Sequence, residues 1–364
     1  MKIIIAGGGT GGHIFPAVAI ANAAQRLFEG TEVLFVGALG KMEMEKVPQA
    51  GYKIIGLDIV GYNRSSLFKN LILPIKIFKS RQHAKRILKE FNPDVVIGVG
   101  GFASFPMLSA AQYLNVPTLI QEQNSFAGKS NKILGKKANA ICVAYDNMSQ
   151  FFPKEKITKT GNPVRAVIAH STKSKEEGLQ AFGLQNQKKT LLIVGGSLGA
   201  KAINEAIAQN LKSLVDAGLQ VIWQTGKPFY QEALKVAEAY KDSVTVHEFI
   251  REMEMAYAAT DIVISRAGAL AIAELCIVAK PVIFVPYPFA AEDHQTSNAM
   301  ALVNNNAAWM IRNEDAEKHL VPKLIELLKD EEVQSQMEIH LKEMAIKDAD
   351  ERIANMVHQL VKQK

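Results

Sequence analysis

The sequence predicts an α/β protein built from two doubly wound parallel-sheet domains. Short, continuous apolar runs alternate with segments of helical periodicity along the chain. A strand buried on both faces of a parallel sheet reads as such a run, and a crossover helix separates it from the next. The plan is set down twice: GGGTGGHIFPAVAIANA at 7–23 and GGSLGAKAINEAIA at 195–208 each carry an apolar strand end through a glycine loop into a helix. A length of 364 residues suits two domains at about 150 residues each.

In the first half, KIIIAG at 2–7, TEVLFVG at 31–37, DVVIGVG at 94–100, TLI at 118–120 and AICVA at 140–144 read as strands. The segments 17–27 and 71–91 between them have helical periodicity. Gly and Pro in TGNPVRA at 160–166 interrupt the pattern, which sets a first domain at 1–162 and a second at 163–339. The second domain repeats the alternation with strands at 190–196, 219–226, 243–249, 261–268 and 281–288. The polar, helical segment 340–364 has no strand after it and is free to pack on either domain.

Composition narrows the class. With 48% hydrophobic and 21% charged residues, 25 Gly and 13 Pro, the chain is neither disordered, collagen-like nor coiled-coil. No apolar run reaches the roughly 18 residues of a membrane span, since Glu274 and Lys280 interrupt the most apolar stretch. The short N-terminal apolar run leads into glycines without a small-residue cleavage pattern, so no secretory leader is expected. Cys142 and Cys276 lie in apolar runs and read as buried thiols of a reducing compartment. The net charge of +6 is unevenly divided: residues 1–162 hold 20 basic against 10 acidic groups, and the remainder 22 against 26. Residues 59–89 carry eight basic groups and no acid, which points to an anionic partner.

A strand that ends in glycines and opens a helix collects unpaired N–H groups and the positive end of a helix dipole, an arrangement suited to phosphate. Gly7, Gly9 and Gly12 fit G-x-G-x-x-G, but the second strand ends in Val36 and Gly37 without a ribose-binding acid, which argues against a dinucleotide cofactor. No glycine loop runs into Gly-Lys-Ser/Thr, so a P-loop is excluded. With GVGGFASFP at 98–106 there are three glycine loops at strand ends, and two such domains facing each other would enclose a cleft for a nucleotide diphosphate and a second substrate. His13 falls at the start of a helix with Pro16 in its first turn, either satisfying local backbone groups or, as a neutral imidazole, accepting a proton. Glu274 is a lone carboxylate on an apolar helix, either a rim residue or a hydroxyl acceptor.

The strings GGGTGGHIFPAVAIA, GVGGFASFP, QEQNSFAGKSNK, TGNPVR, GGSLGAKAIN, SRAGALAIAEL and DHQTSNA, in this order and spacing, resemble the MurG family of bacterial cell-wall N-acetylglucosaminyltransferases. The resemblance implies a GT-B fold, two Rossmann-like domains facing a central cleft, with the C-terminal helix at about 340–364 returning to the N-terminal domain. It implies inverting transfer of GlcNAc from UDP-GlcNAc to the C4 hydroxyl of MurNAc in undecaprenyl-diphospho-MurNAc-pentapeptide (lipid I), giving lipid II for peptidoglycan synthesis. By the same resemblance Ser197 and Arg165 bind the diphosphate, Ile250 offers its backbone to uracil and Glu274 accepts the ribose hydroxyls. Ala269 and Leu270 begin the helix that meets the nucleotide, and Gln295, with His294 beside it, holds sugar hydroxyls. Thr10, Gly11, Gly12 and Asn124 reach the GlcNAc from the first domain, and His13 becomes the candidate base.

No obligatory cofactor or metal is expected, because a helix N-terminus, an Arg and backbone donors can stabilise the departing UDP. Asp348-Ala349-Asp350 formally matches D-x-D but lies on a polar helix and reads as a solvated face. Gln121 stands where many family members have His, and Phe102 where Tyr is usual, so no role of those groups carries over. A polyprenyl acceptor implies a peripheral enzyme on the cytoplasmic face of the plasma (inner) membrane, with cell-wall and division proteins as further partners and no nucleic acid. Leu67, Phe68, Lys69, Ile72, Leu73, Ile75, Lys76, Phe78 and Lys79 combine apolar and basic groups as a headgroup-level patch requires, with Pro74 dividing loop from helix. Other classes remain: a UDP-GlcNAc epimerase, a glycolipid glycosyltransferase, and a nucleic-acid-binding protein suggested by the basic first half.

Overall fold

The structure, a computed structural model, describes residues 1–59 and 73–363. It separates into two units, Met1–Arg165 with Asp348–Lys364, and Ala166–Lys347.

The first unit holds β1 (Lys2–Ala6), α1 (Gly11–Leu27), β2 (Glu32–Ala38), α2 (Glu43–Gln49), β3 (Lys53–Leu57), α3 (Leu73–Phe91), β4 (Val95–Gly98), α4 (Ser104–Tyr113), β5 (Thr118–Glu122), α5 (Lys129–Gly135), β6 (Ala140–Val143) and β7 (Ile157–Lys159). Its strands form one parallel sheet in the order β3-β2-β1-β4-β5-β6-β7. The order reverses between β1 and β4, where Ile4 pairs with Leu34 on one side and Val96 on the other. Crossover connections diverge at such a point and leave a crevice beyond the strand ends. Ile3, Ile4 and Ile5 are buried on both faces, which is why this strand reads as an uninterrupted apolar run.

The second unit holds α6 (Ala166–Ala169), α7 (Lys175–Ala181), β8 (Lys189–Val194), α8 (Lys201–Asp216), β9 (Leu219–Gln224), α9 (Tyr230–Ala237), β10 (Val244–His247), α10 (Met253–Ala259), β11 (Ile262–Ser265), α11 (Ala269–Val278), β12 (Val282–Phe284), α12 (His294–Val303), β13 (Trp309–Met310), α13 (Ala316–Lys329) and α14 (Glu331–Met344). Its parallel sheet, β10-β9-β8-β11-β12-β13, reverses between β8 and β11 in the same way. Trp223 lies at the centre of its core, with Nε1 donating to Asn204 Oδ1 at 3.0 Å while Asn204 Nδ2 donates to the Thr225 carbonyl at 2.8 Å.

Three differences from the sequence reading have physical causes. β3, β7 and β13 are absent from it, and all three are edge strands. α1 begins at Gly11 rather than later, so Pro16 falls in its second turn and the Gly12 carbonyl loses its helical donor. The segment 340–364 is not one helix. Residues to Met344 belong to α14, which packs on α11 and α13, whereas α15 (Ala349–Lys362) packs on α1. Asp348 and Asp350 serve this last element, pairing with Arg352 at 2.9 Å and Arg26 at 3.5 Å. Burial pushes the Cys142 and Cys276 thiols up to about 12.

α15 completes the first unit by laying Ile353, Ala354 and Val357 against Ile3, Ile5, Ile14 and Ile20, with His358 stacked on Phe28 at 4.0 Å. The ion pairs at its start are exposed and add little, so the apolar contact carries the docking. Ile353→Ala is expected to destabilise the first unit by about 2–4 kcal/mol, read by urea unfolding.

Candidate active site

The turn between β1 and α1 is closed by the protein itself. Gly7 N–H donates to the Val36 carbonyl at 3.1 Å, Gly8 N–H to the Gly100 carbonyl at 3.2 Å, and Gly9 N–H to Glu43 Oε2 at 2.6 Å. These amides, which the sequence reading offers to a phosphate, are therefore satisfied internally, and the anion at this helix start is the buried Glu43 carboxylate. Its other oxygen accepts from Ala38 N–H at 2.9 Å. A Cβ at Gly8 would collide with that carboxylate, and one at Gly101, whose φ is +85°, would collide with Gly8. The two glycine loops of the first unit thus interlock at the reversal between β1 and β4.

Thr10, Gly11, Gly12 and His13 follow in one turn. His13 Nδ1 lies 2.9 Å from the Gly8 carbonyl and 3.3 Å from Thr10 Oγ1. A carbonyl only accepts, so Nδ1 carries the proton and the neutral ring has its lone pair on Nε2. That edge packs beside Gly100, where a Cβ would approach Nε2 to 2.8 Å.

Asn124 stands in the loop after β5, and Glu122 holds that loop. Its carboxylate accepts from Asn124 N–H at 3.2 Å, Gly128 N–H at 3.1 Å and Asn131 Nδ2 at 2.8 Å. Behind it Gln121 Nε2 donates to Asn162 Oδ1 at 3.0 Å, and Gln123 Nε2 donates to the Val99 carbonyl at 2.9 Å and also to Gln121. Gln121 therefore belongs to a buried amide network that joins the loop after β5 to the loop after β4. Arg165 lies where the first unit ends.

In the second unit the corresponding turn is open. Gly199 N–H donates to the Gly196 carbonyl at 2.9 Å, but among the described residues the amides of Gly195, Gly196, Ser197 and Leu198 find no acceptor. Ser197 is exposed, and Leu198 is 80% exposed. Successive N–H groups at the start of the four-turn helix α8 form an anion cradle. Gln224 sets its shape, donating from Nε2 to the Gly196 carbonyl at 3.1 Å while Oε1 accepts from Ile250 N–H at 2.9 Å. The Ile250 amide is thereby engaged, so any backbone contact of Ile250 with a ligand would fall to its carbonyl.

Ala269 and Leu270 form the first turn of α11, and Glu274 lies buried one turn on, where Tyr257 donates its phenol to Oε2 at 3.0 Å. Arg266, between β11 and this helix, is partly buried, and burial pulls its guanidinium down to about 10, still charged at neutral pH. Its Nη1 donates to the Val285 and Pro286 carbonyls, both at 2.9 Å, which ties the loop after β12 to that after β11. His294 and Gln295 open α12, and Gln295 Oε1 accepts from Tyr287 N–H at 2.9 Å. Glu292 and Asp293 before them are both left-handed, with φ of +53° and +50°; such residues cost about 1–3 kcal/mol each and gather at ligand sites.

Sequence reasoning missed Glu43, Glu122, Gln224, Tyr257 and Arg266. Gln224 had a signal, a polar residue closing the apolar run of Val221, Ile222 and Trp223, and so had Glu122 in QEQN. Glu43 and Tyr257 had none. Of the expected surface patch, Leu67, Phe68, Lys69 and Ile72 lie outside the described residues, as does the Leu73 side chain. Ile75 and Phe78 are exposed on α3, Lys76 donates to Asp58 at 2.7 Å, and Lys79 is exposed.

Residues 3–143 match the N-terminal domain, and residues 190–353 the C-terminal domain, of glycosyltransferase family 28. The chain belongs to that family. It is 49% identical over 364 residues to a protein of Parabacteroides distasonis, covering 100% of this chain and 99% of the relative, and 52% identical over 360 residues to one of Cytophaga hutchinsonii, covering 99% and 97%. Both relatives are named UDP-N-acetylglucosamine--N-acetylmuramyl-(pentapeptide) pyrophosphoryl-undecaprenol N-acetylglucosamine transferase. Among solved structures, the MurG of Acinetobacter baumannii superposes with a TM-score of 0.81 at 29% identity, over 98% of this chain and 99% of that one. A UDP-GlcNAc 2-epimerase of Neisseria meningitidis, at TM-score 0.67 and 16% identity over 99% of this chain and 100% of that one, shares the fold.

Removing the Glu122 carboxylate strands the amides it collects. Glu122→Ala is expected to destabilise the first unit by at least about 2 kcal/mol and to speed hydrogen exchange at Asn124 and Gly128, measured by NMR.

Proposed function

We propose that this protein transfers N-acetylglucosamine from UDP-GlcNAc to the C4 hydroxyl of MurNAc in undecaprenyl-diphospho-MurNAc-pentapeptide, with inversion, releasing UDP and forming lipid II for peptidoglycan synthesis. The carrying observation is full-length identity of about half to transferases of that name, which spans both family 28 domains.

The second unit takes the donor. Its open amides at Gly195–Leu198, with the Ser197 hydroxyl, suit the diphosphate, and Arg165 adds a cation. The Ile250 carbonyl suits the uracil N3–H, and Glu274, steadied by Tyr257, accepts the ribose hydroxyls. Gln295 and His294 meet the sugar, and Ala269 and Leu270 flank the nucleotide. Preorganised donors stabilise the charge that develops on UDP without an obligatory metal. The first unit supplies Thr10, Gly11, Gly12 and Asn124 to the sugar and acceptor, and His13 Nε2 takes the proton of the acceptor hydroxyl.

The lipid acceptor brings the enzyme to an anionic membrane surface as a peripheral protein, on the cytoplasmic face. No helix among the described residues is long and apolar enough to cross a membrane. Ile75 and Phe78, at 56% and 64% exposure beside Lys76 and Lys79, are the described part of the contact. The reading extends to cell-wall and division proteins as further partners.

The direct test is incubation with radiolabelled UDP-GlcNAc and a short-chain lipid I analogue. Extension of the acceptor by one GlcNAc supports the reading, whereas acceptor-independent release of free sugar points to epimerase chemistry. Tyr257→Phe leaves Glu274 without its phenol and is expected to raise KM for UDP-GlcNAc by about tenfold, the worth of one hydrogen bond to a charged group, with kcat less affected. Changing Lys69, Lys76 and Lys79 together to Glu is expected to lower partitioning onto anionic vesicles by at least about a hundredfold, at ~1 kcal/mol per lysine; unchanged sedimentation would show that these residues do not hold the protein at the membrane.

A further inference from the structure

We propose that Glu43 positions and polarises His13 through a single peptide group, so that the base of the transfer is a carboxylate–peptide–imidazole relay. This rests on the reading of His13 as the group that takes the acceptor's proton. The geometry is specific. The trans peptide between Gly8 and Gly9 has its N–H on Glu43 Oε2 at 2.6 Å and its carbonyl on His13 Nδ1 at 2.9 Å. One peptide therefore joins the acid to the imidazole with a hydrogen bond on each side.

The surroundings hold that peptide and little else. Gly8 N–H is tied to Gly100, and Gly101 is packed so closely on Gly8 that a Cβ cannot be accommodated. On the opposite side Glu43 fills the space that side chains at Gly8 and Gly37 would occupy. Glu43 is only 2% exposed, and among the described residues it makes no ion pair; its carboxylate accepts from the amides of Gly9 and Ala38. A buried carboxylate without a cation is costly, and a neutral side chain would fill the same volume at less cost. A negative charge aimed at the one peptide that holds His13 has a use that neutral packing lacks.

Hydrogen bonds in series polarise one another. A peptide whose N–H faces a carboxylate has a more electron-rich carbonyl, which grips Nδ1–H and stabilises the imidazolium as it forms. In the transfer, the acceptor O4 bonds to the anomeric carbon while the bond from that carbon to the UDP oxygen breaks, its electron pair leaving with UDP. The O4 proton passes to His13 Nε2. Nδ1–H stays on the Gly8 carbonyl, and the Glu43 carboxylate takes no proton.

Glu43→Gln keeps the shape but presents an NH₂ group to one of the two amides. The expected result is a fall in kcat of about tenfold or more with KM for UDP-GlcNAc within about twofold, as for an interaction that strengthens in the transition state. Glu43→Gly opens a carboxylate-sized space, and formate is expected to recover part of its kcat while recovering none in His13→Ala. Ring ¹⁵N shifts of His13 in the unaltered protein are expected to report Nδ1 protonated, and a tautomer mixture in Glu43→Gln. If kcat and tautomer are unchanged in Glu43→Gln while only its melting temperature falls, Glu43 is packing and the relay is wrong. An Nε2–H tautomer in the unaltered protein overturns it without any variant. If His13→Ala retains kcat within about tenfold, the base assignment itself fails, an outcome distinct from loss in His13→Ala with retention in Glu43→Gln.

Discussion

A peptide N–H just beyond the end of a buried parallel strand has lost its place in the ladder and must find another acceptor or a ligand. Each unit meets this constraint beside its central strand, where the strand order reverses and a glycine turn runs into a helix. In the first unit the debt is settled within the protein by Val36, Gly100 and Glu43. In the second, Gly195–Leu198 are left open. The same local architecture yields a rigid mount for side chains at Gly7–Gly9 in one unit and a run of unengaged amides at Gly195–Leu198 in the other, and the proposed diphosphate site rests on that difference.

The central strands were legible because burial on both faces requires continuous apolar runs, as Ile3–Ile5 and Leu191–Ile193 show. The edge strands were not. β3 has a half-exposed sequence, KIIGL, and β7 and β13 are three and two residues long, so neither run length nor alternation marks them. The glycine loops were legible for a related reason, since positive φ and close backbone approach admit few other residues. Whether their amides were occupied was not, because the deciding acid, Glu43, arrives from a different helix start and carries no mark in its own neighbourhood. Tyr257 was hidden in the same way, its partner Glu274 lying on another helix. Contacts across elements decide these roles, and a linear pattern records only contacts along them.

The basic excess of the first half is likewise only partly a surface field. Lys85 sits 3.8 Å from the Tyr113 ring centroid, with Arg81 nearby at 5.4 Å, and Lys132 lies 4.0 Å from that of Phe126. Such contacts hold long cationic side chains along aromatic faces, which fixes where the charge is presented. Exposed lysines are screened within about 10 Å at ordinary ionic strength, so the charge acts at contact range rather than as long-range steering.

The docking of α15 on α1 makes the first unit discontinuous, since the whole of Ala166–Lys347 intervenes between its two pieces. During synthesis the face formed by Ile3, Ile5 and Ile14 emerges early, but its cover of Ile353, Ala354 and Val357 emerges after the second unit. The N-terminal half must therefore wait on the ribosome with an apolar face uncovered while the second unit can already close its own core. Vectorial synthesis would thus complete the two halves in the reverse of their order in the chain, and a chain cut short before residue 349 would leave the first half open.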